Sequence, residues 1–274
     1  MLACICGAAF AGAATAWART VHVNAMAHVA YVATTSGRLQ FAGTVTGPAV
    51  GHGALLASFG RRRSGYAGTA TLVGPPGSLT ANVRVSVHLE GHLVHLGLTA
   101  DVTGATGRFT GARGTLTGSG LVTATGSVGT LRLHGTLPGA SGRAPAPPSR
   151  AVVHHVDGRF LGAELSLARN GVETVIGSAT GLVPGPAVLV ARERATTTRA
   201  RGPCTVFAAG GTLTGFVDVR FPGAGHTRHE TGTYSFSRGS GAFSGVHATS
   251  LVVSGTRNLA AQHIATRFKG TLTL

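Results

Sequence analysis

The chain has 274 residues and a formal net charge of +15, with 43% apolar, 11% charged and 5% aromatic residues. This apolar content excludes a disordered chain, and the scarcity of long polar side chains (Lys269 is the only lysine) disfavours long surface helices. The charge predicts attraction to anionic polymers or lipids. However, specific nucleic-acid recognition usually adds exposed aromatics to a basic stripe, and aromatics are scarce here.

Residues 1–18 resemble a secretion signal, although no basic segment precedes the apolar stretch. An apolar run over residues 2–14 is followed by Ala16-Trp17-Ala18, an A-x-A cleavage pattern. The segment is too short and too rich in Gly and Ala to predict a transmembrane span. We therefore expect a secreted or cell-envelope protein. Its mature chain would keep Cys204 as its one cysteine and form no internal disulfide.

The chain contains an internal duplication. Residues 68–118 align without a gap on residues 202–252, with identities that include Leu79 with Leu213 and Phe109 with Phe243. A repeat this long indicates two copies of a whole small domain, because solenoid repeats are only about 20–50 residues long. Residues 138–150, with four prolines, are typical of an extended linker. The predicted domains are therefore residues 19–137 and 151–274.

Each half is predicted to consist of short antiparallel strands. Apolar residues alternate with polar ones from Val83 to Leu89, which is the pattern of a half-buried strand, and glycine-containing turns recur every eight to twelve residues. A chain that is nearly all strand must protect its sheet edges, and closure into a barrel removes them. We predict an all-β fold of two tandem small antiparallel β-barrels, with a β-sandwich as the alternative.

The densest motif runs from Val102 to Gly114, in the pattern G-x-x-G-x-F-x-G-A-R-G, and has a degenerate copy over residues 236–248. Gly104 and Gly107 are expected to adopt positive φ in a tight turn, and Phe109 to fill the core. A phosphate-binding loop is the rival interpretation. It lacks the G-K-[ST] sequence and a following helix.

This motif resembles the signature of the allene oxide cyclase and dirigent superfamily, whose members are eight-stranded antiparallel barrels. Gly104 with Ala105 stands where that family prefers paired glycines, whereas Thr106, Gly107, Phe109, Ala112 and Gly114 match. The resemblance implies a barrel cavity in which an epoxide is cyclised near a buried glutamate, or in which radical coupling is steered. The motif aligns none of the family's functional residues with this chain.

The candidate catalytic residues are Glu230, Arg228 and Glu193. Glu230 and Arg228 share the strand face that carries Leu96 and Val94 in the first copy, and Glu193 aligns with Phe59. If that face lines the barrel, the second interior is polar where the first is apolar. The favoured interpretation instead places Arg228 and Glu230 on the solvent side as a weak i,i+2 pair.

The remaining reactive residues predict neither a cofactor nor a metal site. His92 and His95 align with His226 and His229, but residues three apart on a strand point to opposite faces, so rim positions are expected. Cys204 is expected to be a small buried hydrophobic residue, because no basic neighbour in sequence lowers its pKa.

Three functions remain open at this stage. The first is a non-enzymatic exported barrel that binds a small apolar ligand or an anionic cell-envelope component. The alternative is an allene oxide cyclase-like isomerase or cyclase that uses Glu230 or Glu193. An open pocket of at least ~300 Å³ with a buried carboxylate would favour the enzyme. The third is adhesion to an anionic polymer through Arg61, Arg62 and Arg63.

Overall fold

A computed structural model describes residues 18–123, 128–143, 145–146, 152–167, 171–247 and 249–274. The predicted secretion signal lies outside the described residues except for Ala18. Within the described part of the chain, no helix has both the length and the apolar character needed to cross a membrane.

Sixteen strands make up almost all of the described chain. The first eight are β1 (Arg19–Thr35), β2 (Arg38–Gly47), β3 (Gly51–Arg62), β4 (Gly65–Gly74), β5 (Gly77–Glu90), β6 (Leu93–Ala105), β7 (Thr115–Thr123) and β8 (Val128–Ala140). The second eight are β9 (Val153–Leu167), β10 (Val172–Thr180), β11 (Ala187–Ala195), β12 (Arg199–Ala208), β13 (Gly211–Arg220), β14 (Thr227–Gly241), β15 (Thr249–Asn258) and β16 (His263–Thr273).

Each set of eight strands closes into its own antiparallel barrel. In the first barrel β1 pairs with both β2 and β8, and in the second β9 pairs with both β10 and β16. Every strand therefore has two neighbours and no sheet edge is left. This confirms the predicted pair of tandem barrels and makes the sandwich alternative wrong.

The strand boundaries define where the two barrels meet the predicted linker. β8 continues to Ala140, so its last three residues lie within the predicted linker, and β9 begins at Val153. The backbone of Val152 exchanges two hydrogen bonds with Leu274, which ties the start of the second barrel to the end of the chain.

The two barrels have separate interiors and pack against each other through their outer faces. A third cluster of buried residues joins Ala30, Val32, Ala42 and Val73 of the first barrel to Ile176 and Val188 of the second. Gly210 N donates to Gly74 O at 3.0 Å, and the rings of Tyr31 and His263 are 5.6 Å apart. These contacts place corresponding ends of the two barrels side by side.

The glycine motif forms the connection between β6 and β7. Its centre is a single 3-10 turn over Gly107–Phe109, and Phe109 is buried in the first core, as predicted. Gly107 has a φ of 61°, and a Cβ there would lie 2.3 Å from Pro76 O, so only glycine fits. The prediction for Gly104 is wrong, because this residue lies within β6 and has no positive φ.

Candidate functional site

The first barrel encloses a cavity of about 290 Å³ that is lined almost entirely by apolar side chains. The lining comes from the inward positions of the strands, such as Val83, Val85 and Val87 of β5 and Leu96 and Leu98 of β6. Because side chains alternate across a strand, the regular apolar spacing of these strands makes the whole inner surface apolar.

The cavity is open at one end, which we call the mouth. The mouth lies at the end of the barrel that carries the β1–β2, β3–β4 and β5–β6 turns. Val87 and Thr123 line the cavity there and both are exposed to solvent. At the opposite end Phe109 and Leu137 are buried. A ligand would therefore enter through the mouth.

The interior of the second barrel contains a charged cluster at the corresponding end. The guanidinium group of Arg257 donates from Nε to Glu230 Oε2 at 2.7 Å, from Nη1 to Glu173 Oε1 at 2.7 Å and from Nη2 to Glu193 Oε2 at 2.8 Å. Glu164 Oε1 lies 3.5 Å from Nη1. All five side chains are buried, and the ring of Phe221 covers the guanidinium at 4.7 Å.

One guanidinium cannot neutralise four carboxylates, so the cluster must hold protons. Burial, together with repulsion from neighbouring carboxylates, raises the pKa of Glu164 to about 7 against the attraction of Arg257. Burial likewise raises the pKa of Glu193 to about 7 and also raises that of Glu230. Among the described atoms, the Oε1 atoms of Glu164 and Glu193 have no hydrogen-bond partner. Near neutral pH the cluster is therefore partly protonated.

The cluster occupies the same level of its barrel as the mouth does in the first barrel. Glu173 pairs with Glu193 across β10 and β11 just as Leu39 pairs with Phe59 across β2 and β3. By the same register, Arg257 corresponds to Val122, Glu230 to Leu96 and Glu164 to Tyr31. Four of these five first-barrel residues (Leu39, Phe59, Leu96 and Val122) line the cavity. The cluster is thus a polar plug where the first barrel is open.

The structure brings two of the three candidate residues together and separates the third. Glu230 and Glu193 both bind Arg257, so the favoured solvent-side position of Glu230 is wrong: its side chain is buried inside the barrel. Arg228 lies two residues before Glu230 and so has the same strand parity, but it lies at the rim of the barrel. There its Nε donates to Gly225 O at 3.0 Å and its Nη1 donates to Thr197 O.

Sequence reasoning missed Arg257, Glu173 and Glu164. A signal for Glu173 was present, because it aligns with Leu39 at the same offset that aligns Glu193 with Phe59. Arg257 lies beyond the ungapped alignment. Its inward position follows only from the pairing of β14 with β15.

The remaining reactive residues lie where the sequence predicts. His226 and His229 are exposed, and His95 Nε2 lies 3.0 Å from Glu90 Oε2 at the tip of the β5–β6 hairpin. Cys204 is buried in the second core as a free thiol, which confirms the prediction. Burial, followed by the charge of Glu193, raises the pKa of this thiol to about 12, so it is not a nucleophile at neutral pH.

The fold and site define a tandem β-barrel protein with one open apolar cavity and one plugged interior. Comparison with known proteins finds no matching family model and no significant match among curated proteins or solved structures.

The second barrel is expected to lose stability as the pH rises. Glu164 and Glu193 bind protons more tightly in the folded chain than in the unfolded one, whose glutamates titrate near 4.5. Their contribution is complete below about pH 4.5 and is lost as the pH rises through about 7. For one such group the difference is on the order of 3 kcal/mol. Urea unfolding of the second barrel can be followed at pH 5 and pH 8 by pulsed hydrogen exchange of peptides from β14 and β15. We expect the urea concentration at the unfolding midpoint to be higher at pH 5 than at pH 8.

Glu164→Gln tests this assignment, because the amide is neutral at both pH values. We expect it to raise the pH 8 midpoint and to reduce the difference between the two pH values. Asp157→Asn is the matched control, since the Asp157 side chain is 65% exposed and lies 3.8 Å from Arg267. A wild-type midpoint that is higher at pH 8 would contradict the protonated cluster.

Replacing Arg257 by Leu should destabilise the second barrel strongly. The change leaves four buried carboxylates without their cation, and breaking a buried ion pair in this way costs about 3–5 kcal/mol. The loss should be smaller at pH 5, where more of the carboxylates are protonated. Arg267→Leu, at a half-exposed site on the adjacent strand, serves as the control. An equal effect of the two substitutions on the urea midpoint would contradict a structural role for the cluster.

Proposed function

We propose that this protein binds a small apolar ligand in the cavity of its first barrel and that its second barrel is a closed structural partner. The observation that carries this proposal is the open cavity of about 290 Å³ with an apolar lining. Apolar cavities take up apolar molecules, and an enclosed apolar cavity of about 150 Å³ already accepts benzene.

The size of the cavity limits the ligand. A volume of about 290 Å³ suits a molecule roughly twice the size of benzene, such as a bicyclic hydrocarbon or a chain of about ten carbons. A ligand of about ten non-hydrogen atoms that gains roughly 0.6 kcal/mol per atom would bind with a Kd on the order of 10–100 µM.

Binding without catalysis accounts best for the position of the ionisable groups. The described residues that line the cavity include no carboxylate, histidine or cysteine, and their only titratable side chain is Tyr66. The buried carboxylates lie in the other barrel and are bound to Arg257. The alternative, an allene oxide cyclase-like isomerase or cyclase that uses Glu230 or Glu193, needs a buried carboxylate inside the open cavity and so has less support. The proposed location, secreted or in the cell envelope, rests on the sequence of residues 1–18.

Filling the cavity should abolish ligand binding. Ala70 lines the cavity, whereas its neighbour Thr69 points outward and is exposed. We expect Ala70→Phe to weaken the binding of 1-aminonaphthalene, followed by its fluorescence, by at least about tenfold, because the new ring takes up the ligand's space. Thr69→Phe adds the same ring outside and should leave the Kd within about twofold. Equal affinities of the two variants would place the probe elsewhere and refute the proposal.

An anionic cell-envelope component is the second candidate ligand, and the outer face of the second barrel favours it. Arg194 lies directly opposite Arg201 across β11 and β12, and Arg199 opposite Arg220 across β12 and β13. Like charges in such positions destabilise a sheet unless an anion neutralises them. Asp218, which accepts a hydrogen bond from Arg199 Nε at 2.8 Å, is the one carboxylate on the outer side of β11, β12 and β13.

Salt dependence tests the second candidate. Binding to an anionic polymer such as polyphosphate should weaken steeply between low and physiological salt, because the polymer releases its counterions. The double substitution Arg194→Ser and Arg201→Ser should reduce the affinity by at least about tenfold at low salt. Arg132→Ser, at an exposed position on β8, should have little effect. Binding that is independent of salt would exclude this candidate.

A further inference from the structure

The mouth of the first barrel exposes an apolar surface that is continuous with the cavity. Val87, Leu89, Leu93 and Leu121 are 44%, 64%, 46% and 40% exposed, and all four lie on β5, β6 and β7. Leu89 pairs with Val94, a residue that lines the cavity, so Val87 and Leu89 continue the lining to the rim. Leu93 and Leu121 alternate with the lining residues Val94 and Val122 and lie on the outward face of the same rim. Four large exposed apolar side chains on one rim are typical of an interaction site.

The β5–β6 hairpin projects beyond the neighbouring part of the barrel wall. β4 last pairs with β5 at Tyr66 and Val85, but β5 continues to Glu90. Five further residues extend the hairpin by roughly 16 Å. Leu89 and Leu93 flank the turn at its tip, next to Glu90 and His92, and both leucines are exposed.

A cluster of arginines lies beside the base of this hairpin. Arg61, Arg62 and Arg63 are all exposed, at the turn that joins β3 to β4, and β4 is the strand next to β5. None of the described ion pairs involves these three arginines. The two acids on the hairpin, Glu90 and Asp101, are paired with His95 and Arg84. The mouth therefore combines exposed leucines with unneutralised positive charge.

The second barrel adds positive charge on the same side. Because Gly210 meets Gly74 at one end and His263 meets Tyr31 toward the other, the two barrels point the same way. Arg194 and Arg228 lie at the end of the second barrel that corresponds to the mouth. A flat anionic surface that contacts the mouth would therefore also face these side chains.

We propose that the mouth of the first barrel docks onto an anionic lipid bilayer, so that the cavity takes its ligand from the membrane or delivers it there. Leu89 and Leu93 enter the interfacial region, and Arg61, Arg62 and Arg63 contact lipid phosphates. Each arginine near such a surface contributes roughly fivefold to binding. A soluble polyanion would neutralise the arginines but would leave the leucines in water, which is why we favour the bilayer. This inference rests on the proposed function, because it names the source of the ligand.

Co-sedimentation with vesicles tests the docking. The full chain should bind phosphatidylcholine vesicles that contain phosphatidylglycerol at least about tenfold more tightly than pure phosphatidylcholine vesicles. The substitutions Leu89→Ser and Leu93→Ser together should reduce binding to the anionic vesicles by at least about tenfold, and replacing all three arginines by Ser should do the same. Val252→Ser is the matched control, because Val252 is 62% exposed but lies on β15 of the second barrel.

Three results would overturn the docking proposal: no binding to the anionic vesicles, equal binding to both kinds of vesicle, or full binding by the double leucine variant. 1-Aminonaphthalene binding without vesicles is measured on every variant. It reports on the cavity and on correct folding of the first barrel. A wild-type chain that binds the probe but not the anionic vesicles refutes the docking alone, whereas a wild-type chain that does not bind the probe refutes the proposed function.

Discussion

The width of a closed eight-stranded barrel is the constraint on which this structure depends. Such a barrel is just wide enough for its inward side chains to fill it or to leave room for one small ligand. A few inward residues at a single level therefore decide which of the two outcomes occurs. In the first barrel that level is apolar and open, and in the second it holds Arg257 and its carboxylates.

The two copies show how one barrel design has diverged without a change of topology. Leu39 and Phe59 of the first barrel face each other as Glu173 and Glu193 do in the second. The order and pairing of the strands that carry them are the same in the two barrels. A buried ion cluster contributes little net stability to a barrel interior, because the cost of desolvating the charges opposes their attraction. The Arg257 cluster fills the second barrel at the same height along the barrel axis at which the first barrel is open to solvent.

The division between the barrels also separates the two features that a catalytic site in this fold would combine. An enzyme of the type that the glycine motif suggests would need its cavity and its buried carboxylate in one interior. Here the cavity is in one barrel and the carboxylates are in the other, with Arg257 as their partner. The packing of the two outer faces, through residues such as Ile176 and Val188, holds the barrels together without joining their interiors.

The sequence alone determined the duplication, the strand content and the pair of barrels, because period-two alternation and glycine turns are local signals that need no tertiary contact. It also identified two buried residues, Phe109 from the glycine motif and Cys204 from its strand context. Tertiary structure decided what each interior contains. Whether Glu230 points inward depends on the register of β14, and whether it finds a cation depends on Arg257, which lies 27 residues away in the chain. Such a cluster assembles only when the barrel closes. The alternation of apolar and polar residues along a strand can therefore predict which face carries a charged side chain, but not which residue of opposite charge it contacts.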